Sequence, residues 1–227
     1  MNQHHGQDEA LRRVWQAFRT FGHVEDGRHD TGDWRSREGV FALAAIRVPA
    51  AALQPGLDEL RAALAGFPFV RLHPDGFLHI TLQELGFVVD RPARPDEISP
   101  TRLEEFIESA ATVSAARGPV DLALVGANSF QDAVFLDVHD RDALAALQAR
   151  LFDLAAIPRA RTFAYLPHCT IAHYTAEAPS THLAATIGRF RDRPFGAFTA
   201  SRIEVLTLRL DEPYPPFETV AVLPFRD

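Results

Sequence analysis

The sequence predicts an α+β protein of two similar lobes with mostly antiparallel sheets. Three observations lead there. Short apolar runs of strand length are interspersed with segments whose leucines recur at helical spacing. The order strand, helix, strand with a His-x-Thr triplet, helix occurs from Val40 and again from Ala133 to Phe190. No glycine-rich phosphate loop of the kind found in doubly wound nucleotide-binding sheets is present.

Taken in order, Leu11, Val14, Trp15, Phe18 and Phe21 predict an amphipathic helix over residues 8–21. A polar loop from Gly22 to Gly39 completes an N-terminal extension, residues 1–39, ahead of the main domain, residues 40–227. Val40 to Val48 reads as a buried strand ended by Pro49. Leu57, Leu60 and Leu64 share one helix face before Gly66. Strands are expected at 69–72 and 77–89, then a loop over 90–100 whose three prolines exclude regular structure. A helix carries Leu103, Phe106, Ile107 and Ala110. Strands at 120–125 and 133–138 precede a helix with Leu144, Leu147, Leu151 and Leu154. A strand near 165–173, a helix with Leu183, Ile187 and Phe190, and strands near 203–210 and 219–223 finish the chain.

Composition narrows the chemistry. With 47% hydrophobic and 23% charged residues, the 227-residue chain has enough apolar material for a substantial core. All 23 basic residues are arginine, so lysine Schiff-base and P-loop chemistry are excluded. A net charge of −7 repels polyanions and disfavours long duplex nucleic acid as a partner. No apolar run is long enough to span a membrane or serve as a secretory signal, and the single cysteine, Cys169, fits a reducing compartment. These features lead us to expect a cytoplasmic monomer.

Four His-x-Thr triplets occur, where chance predicts about 0.6. Two of them, His79-Ile80-Thr81 and His168-Cys169-Thr170, lie inside apolar strands. Strand side chains alternate faces, so each histidine points the same way as its threonine. Such a pair is costly to bury without partners, and an open cleft resolves the cost. Ile80, Leu82, Cys169 and Ile171 then face the core, which makes Cys169 a structural residue. His173-Tyr174-Thr175 has the opposite parity to His168 and reads as strand-end or rim polarity, while His29-Asp30-Thr31 falls in the polar loop. Gln83 shares the parity of Thr81, which makes it a candidate cleft residue. Arg47 and Arg71 are candidate phosphate partners, and Tyr165 and Phe163 candidate base-stacking aromatics. No carboxylate stands at ligand spacing beside either strand histidine, so neither metal nor cofactor is expected.

The segments Leu78-His79-Ile80-Thr81-Leu82-Gln83-Glu84-Leu85-Gly86 and Tyr165-Leu166-Pro167-His168-Cys169-Thr170-Ile171-Ala172 resemble the paired motifs of the 2H phosphoesterase superfamily. The likeness is greatest to the bacterial 2'-5' RNA ligase and RNA 2',3'-cyclic phosphodiesterase group and covers residues 40–225. One departure is His173, where that group often carries arginine. The resemblance implies a pseudo-twofold, bilobal fold with a central cleft and helices outside. It also implies a metal-independent phosphodiesterase that opens 2',3'-cyclic phosphates of nucleotides or short RNA termini. On this reading His168 is the base for water, His79 the acid for the ribose oxygen, and Thr81 and Thr170 donors to the phosphoryl oxygens. The alternatives are hydrolysis of another small cyclic phosphate of ADP-ribose type, 2'-5' RNA ligation, and non-catalytic nucleotide or RNA binding.

Overall fold

The computed structural model describes residues 4–28, 34, 36–37, 39–157, 164–209 and 211–226. The first helix, α1 (His4–Phe21), starts earlier than its apolar stripe and buries Leu11 and Phe18 against the body. After the two-residue β1 (His23–Val24), the buried run of the sequence becomes β2 (Val40–Arg47). A single 3-10 turn leads to α2 (Gly56–Leu64), whose Leu57, Leu60 and Leu64 face inward as their spacing predicts. β3 (Val70–Leu72) and the motif strand β4 (His79–Val88) follow.

The segment over 90–100 is not wholly irregular, because Glu97–Ile98 forms β5. Two of the prolines precede that strand. The third, Pro100, opens α3 (Pro100–Ala115), where a missing backbone N–H costs nothing. Ser99 caps this helix by accepting a hydrogen bond from the Arg102 amide at 3.1 Å. The hairpin β6 (Val120–Ser129) and β7 (Ala133–His139), the helix α4 (Ala143–Ala155) and the second motif strand β8 (His168–Tyr174) come next. The short β9 (Ala178–Pro179) and α5 (Thr181–Gly188) precede three strands, β10 (Pro194–Ala200), β11 (Arg202–Leu208) and β12 (Glu218–Pro224). The sequence reading contains no counterpart of β10. This strand begins with proline and lies at a sheet edge, where the missing donor is tolerated but the strand signal is weak.

Two five-stranded sheets result, in the orders β12-β11-β2-β4-β5 and β10-β6-β7-β8-β3. Every pair in them is antiparallel except β4 with β5. The chain order is interleaved. β3, from the first half, completes the sheet of the second motif strand, and β11 and β12, from the end, complete the sheet of the first. One large apolar cluster joins the inner faces of both sheets to the helices, and a smaller one, Phe41, Leu43, Ala45, Phe87 and Leu206, covers the other face of the first sheet.

A buried polar network fastens α1 and the chain after α5 to this frame. Arg191 pairs with Asp137 on β7 at 2.8 Å, and Asn128 on β6 donates to Asp137 at 2.9 Å and to the Leu11 carbonyl at 3.1 Å. Burial pushes the Asp137 carboxyl above its ordinary value, while the Arg191 charge and the Asn128 and Arg191 hydrogen bonds pull it back.

Candidate active site

The two motif strands bring their triplets to one cleft of about 370 Å³, lined by His79, Thr81, His168 and Thr170. The alternation behaves as predicted, with Ile80, Leu82, Cys169 and Ile171 fully turned into the core. Cys169 lies against the His79 backbone amide, so β4 and β8 abut directly beneath the cleft. Burial pushes its thiol up to about 12, which keeps the sulfur protonated and unreactive at neutral pH.

Both histidines are held by the same device. His79 Nδ1 donates to the Phe77 carbonyl at 2.7 Å, and His168 Nδ1 donates to the Leu166 carbonyl at 2.8 Å. A carbonyl only accepts, so each Nδ1 carries a proton and the two rings share one tautomeric arrangement. A pair of stacked phenylalanines presses on each ring. Phe77 and Phe217 stack at 4.6 Å and meet His79 nearly at right angles, at 5.6 and 5.1 Å. Phe130 and Phe135 stack at 4.3 Å and both stand 5.2 Å from His168. These contacts restrict ring rotation on both sides of the cleft. Burial lowers the His168 pKa below the ordinary imidazole value, against smaller opposing effects of its bond to Leu166 and of the Asp132 charge.

Each motif strand then bulges at the residue after its threonine. In β4, Thr81 pairs with Ala45 and Gln83 with Ala44, leaving Leu82 as the extra residue. In β8, Thr170 pairs with Phe135 and Ala172 with Val134, leaving Ile171 extra. An extra residue reverses the alternation beyond it. Gln83 is therefore turned away from this cleft, where Glu84 stands instead, and its amide carbonyl accepts from Gln148 at 3.3 Å. His173 is moved the other way, from the expected rim position into the cleft wall. It is buried there with its Nδ1 3.0 Å from His73 Nε2 and 3.3 Å from the Tyr214 hydroxyl. Gly86 ends the second bulge of β4 at φ +101, where a Cβ would overlap the Asp96 carbonyl that bonds the Phe87 amide at 2.8 Å.

The remaining candidates are placed differently from the sequence reading. Arg47 does not line the cleft; it donates to the Gly76 carbonyl at 2.6 Å and lies over the Phe217 ring at 5.0 Å, bracing a cleft aromatic from behind. Arg71 also lies outside the cleft lining, with its backbone paired to His173. Tyr165 donates to the Thr81 carbonyl at 2.9 Å, tying the approach to one motif strand to the other, and does not line this cleft. His29-Asp30-Thr31 and Phe163 lie outside the described residues. Sequence reasoning missed Trp34, which lines the cleft and packs 4.8 Å from Phe41 and 5.2 Å from Phe87. It also missed Arg209, the one arginine lining the cleft among the described residues, which is paired with Asp211 at 2.6 Å.

Two imidazoles with matched tautomers and two threonine hydroxyls thus line one cleft. The sequence model of the 2'-5' RNA ligase superfamily matches residues 48–212, and the chain belongs to that superfamily. This agrees with the 2H phosphoesterase resemblance and makes the protein a phosphoesterase- or ligase-type enzyme.

Solved structures of the same fold include TT0787 of Thermus thermophilus, at 18% identity and a TM-score of 0.61, covering 82% of this chain and 98% of that one. Escherichia coli LigT complexed with 3'-AMP aligns at 16% identity and a TM-score of 0.62, covering 84% and 100%. LigT complexed with NADP+ aligns at 18% and 0.59 over the same shares. No curated protein sequence matches the chain. Among the described residues no helix is long and apolar enough to cross a membrane.

Proposed function

We propose that the protein is a phosphodiesterase that opens 2',3'-cyclic phosphates of nucleotides or short RNA ends, with His168 as base and His79 as acid. The observation that carries this reading is the matched pair of Nδ1–carbonyl hydrogen bonds on two histidines that line one cleft. In-line displacement needs a base and an acid on opposite sides of phosphorus. A water oxygen attacks phosphorus and its proton passes to His168 Nε2. The bond from phosphorus to one ribose oxygen breaks, and His79 Nε2 delivers a proton to that oxygen. Thr81 and Thr170 donate to the non-bridging oxygens as their charge grows. The lowered pKa of His168 supports its assignment as the base, since it is neutral at neutral pH. The LigT complexes with 3'-AMP and NADP+ support nucleotides as the ligand class.

The test is incubation with 2',3'-cyclic mononucleotides and linear diester controls, with the product isomer identified. Ring opening to a single monoester isomer is expected. Turnover of linear diesters or ADP-ribose cyclic phosphates alone overturns the assignment.

The acid limb of the pH–rate profile follows from the same site. His168 must be neutral to accept the water proton, and burial depresses its pKa, so the limb falls below pH 6.5. Asp132 opposes that depression, and Asp132→Asn therefore moves the limb to still lower pH. A limb at or above 6.5, or one moved upward by the substitution, contradicts the base assignment.

A further inference from the structure

The cleft extends well past the two His-x-Thr triplets along the first sheet. β2 runs without a bulge, and the two bulges of β4 keep His79, Thr81, Glu84 and Phe87 opposite Arg47, Ala45, Leu43 and Phe41. These β2 residues alternate, and paired residues share a face, so one wall leads from Thr81 past Leu43 to Phe41. Ala45 and Phe41 are four residues apart, about 13 Å at the rise of a strand. A cyclic phosphate held at Thr81 has its own base nearer than that. The far end of the wall is instead at the reach of the neighbouring nucleotide.

Trp34 stands at that far end. It packs 4.8 Å from Phe41 and 5.2 Å from Phe87, lines the cleft and is only partly buried. Its carbonyl accepts from the Arg37 amide at 3.0 Å, and the Arg37 guanidinium bonds Asp96 at 2.7 Å and lies over the Phe87 ring at 4.0 Å. These contacts brace the indole against the sheet, which reduces the ordering cost of stacking a ligand ring on it. Trp34 lies outside residues 48–212, the part of the chain that matches the superfamily.

Arg209 lines the cleft at the same level, since it follows Leu208, whose backbone stands opposite Phe41. Its partner is Asp211, and the two side chains are 64% and 61% exposed, so the pair contributes little and the guanidinium can turn to a phosphate oxygen. Glu84 and Glu212 also line the cleft, which favours a phosphate where the guanidinium stands over one elsewhere on the wall.

We propose that Trp34 and Arg209 form a subsite for the second nucleotide of an RNA end, its base stacked on the indole and the linking phosphodiester on the guanidinium. This rests on the cyclic-phosphate reading given above. Stacking on an aromatic ring tolerates any base, so the subsite selects for a second nucleotide rather than for a sequence. The preferred substrate is then an RNA terminus of at least two nucleotides, ahead of a free cyclic mononucleotide.

The full-length protein is given 2',3'-cyclic AMP or the dinucleotide ApA with a terminal 2',3'-cyclic phosphate, and the ratio of the two kcat/KM values is measured. The dinucleotide is favoured about tenfold, the effect of one stacked base. Trp34→Ala removes the preference, Trp34→Phe keeps most of it, and Arg209→Gln reduces it. A dinucleotide that is abasic at its 5' residue also loses the preference. Equal kcat/KM values for the two substrates overturn the proposal, and so does a preference that survives Trp34→Ala, Arg209→Gln or removal of the 5' base.

The chain has two tryptophans, and Trp15 packs elsewhere, against Phe18 and Gly188. In Trp15→Phe the fluorescence of Trp34 therefore reports stacking without the reaction. Saturable quenching by ApA with a linear 3'-phosphate, stronger than by 3'-AMP, supports the subsite. Such quenching without turnover of either cyclic substrate overturns the cyclic-phosphate function and upholds the subsite. Turnover of both without quenching upholds the function and overturns the subsite.

Discussion

Replacing His79 or His168 with alanine lowers turnover of a 2',3'-cyclic nucleotide by about 10²–10⁴, the loss that follows removal of a positioned acid or base. Each imidazole lines the cleft rather than the apolar cluster beneath it, so the variants remain folded and melt cooperatively. The double variant is little worse than either single one, because acid and base act on one transition state. Thr81→Ala and Thr170→Ala cost less, about 10–10³, through loss of one donor to the phosphoryl oxygens. Full activity in either histidine variant removes that residue from the mechanism. Single-turnover rates, with circular dichroism as the control for folding, are the measurement.

The second large effect concerns stability. Arg191→Met strands the Asp137 carboxylate, whose side chain is 4% exposed, with Asn128 as its remaining hydrogen-bond donor. Removing one member of a buried ion pair costs about 3–5 kcal/mol. The carboxyl's folded pKa is already raised, and losing the arginine raises it further. A raised acid favours the folded state at low pH and disfavours it as pH climbs through the folded value. The deficit of the variant therefore grows as pH rises and disappears as pH falls below the native value of Asp137. Urea unfolding at several pH values measures this, and a pH-independent deficit would refute the electrostatic account.

Much of this arrangement was legible in the sequence because it rests on periodicity. The leucines of α2 and α4 and the apolar run of β2 announce their elements, and alternation places His79 with Thr81 and His168 with Thr170. The alternation fails as a guide one residue later, since Leu82 and Ile171 are as apolar as a regular core residue and nothing in their chemistry marks a bulge. Gln83 and His173 lie beyond those bulges, and for that reason both were assigned to the wrong face. Arg47 and Tyr165 were misplaced for a different reason. Their targets, Gly76, Phe217 and the Thr81 carbonyl, are set by tertiary folding and leave no local pattern. The aromatic clamps were equally hidden, although both histidines sit two residues after the carbonyl that orients them.

The interleaved sheets carry a consequence for how the site comes into being. A chain cut between α3 and β6 leaves β2 without β11 and β8 without β3, so each fragment ends in an unpaired sheet edge of the kind that drives misassociation. Neither half is a folding unit, despite the internal repeat in the sequence. The strands that complete each motif sheet come from the opposite part of the chain, so the two histidines meet only once the whole polypeptide has condensed. Their placement in one cleft is thus set by the folding of the whole chain.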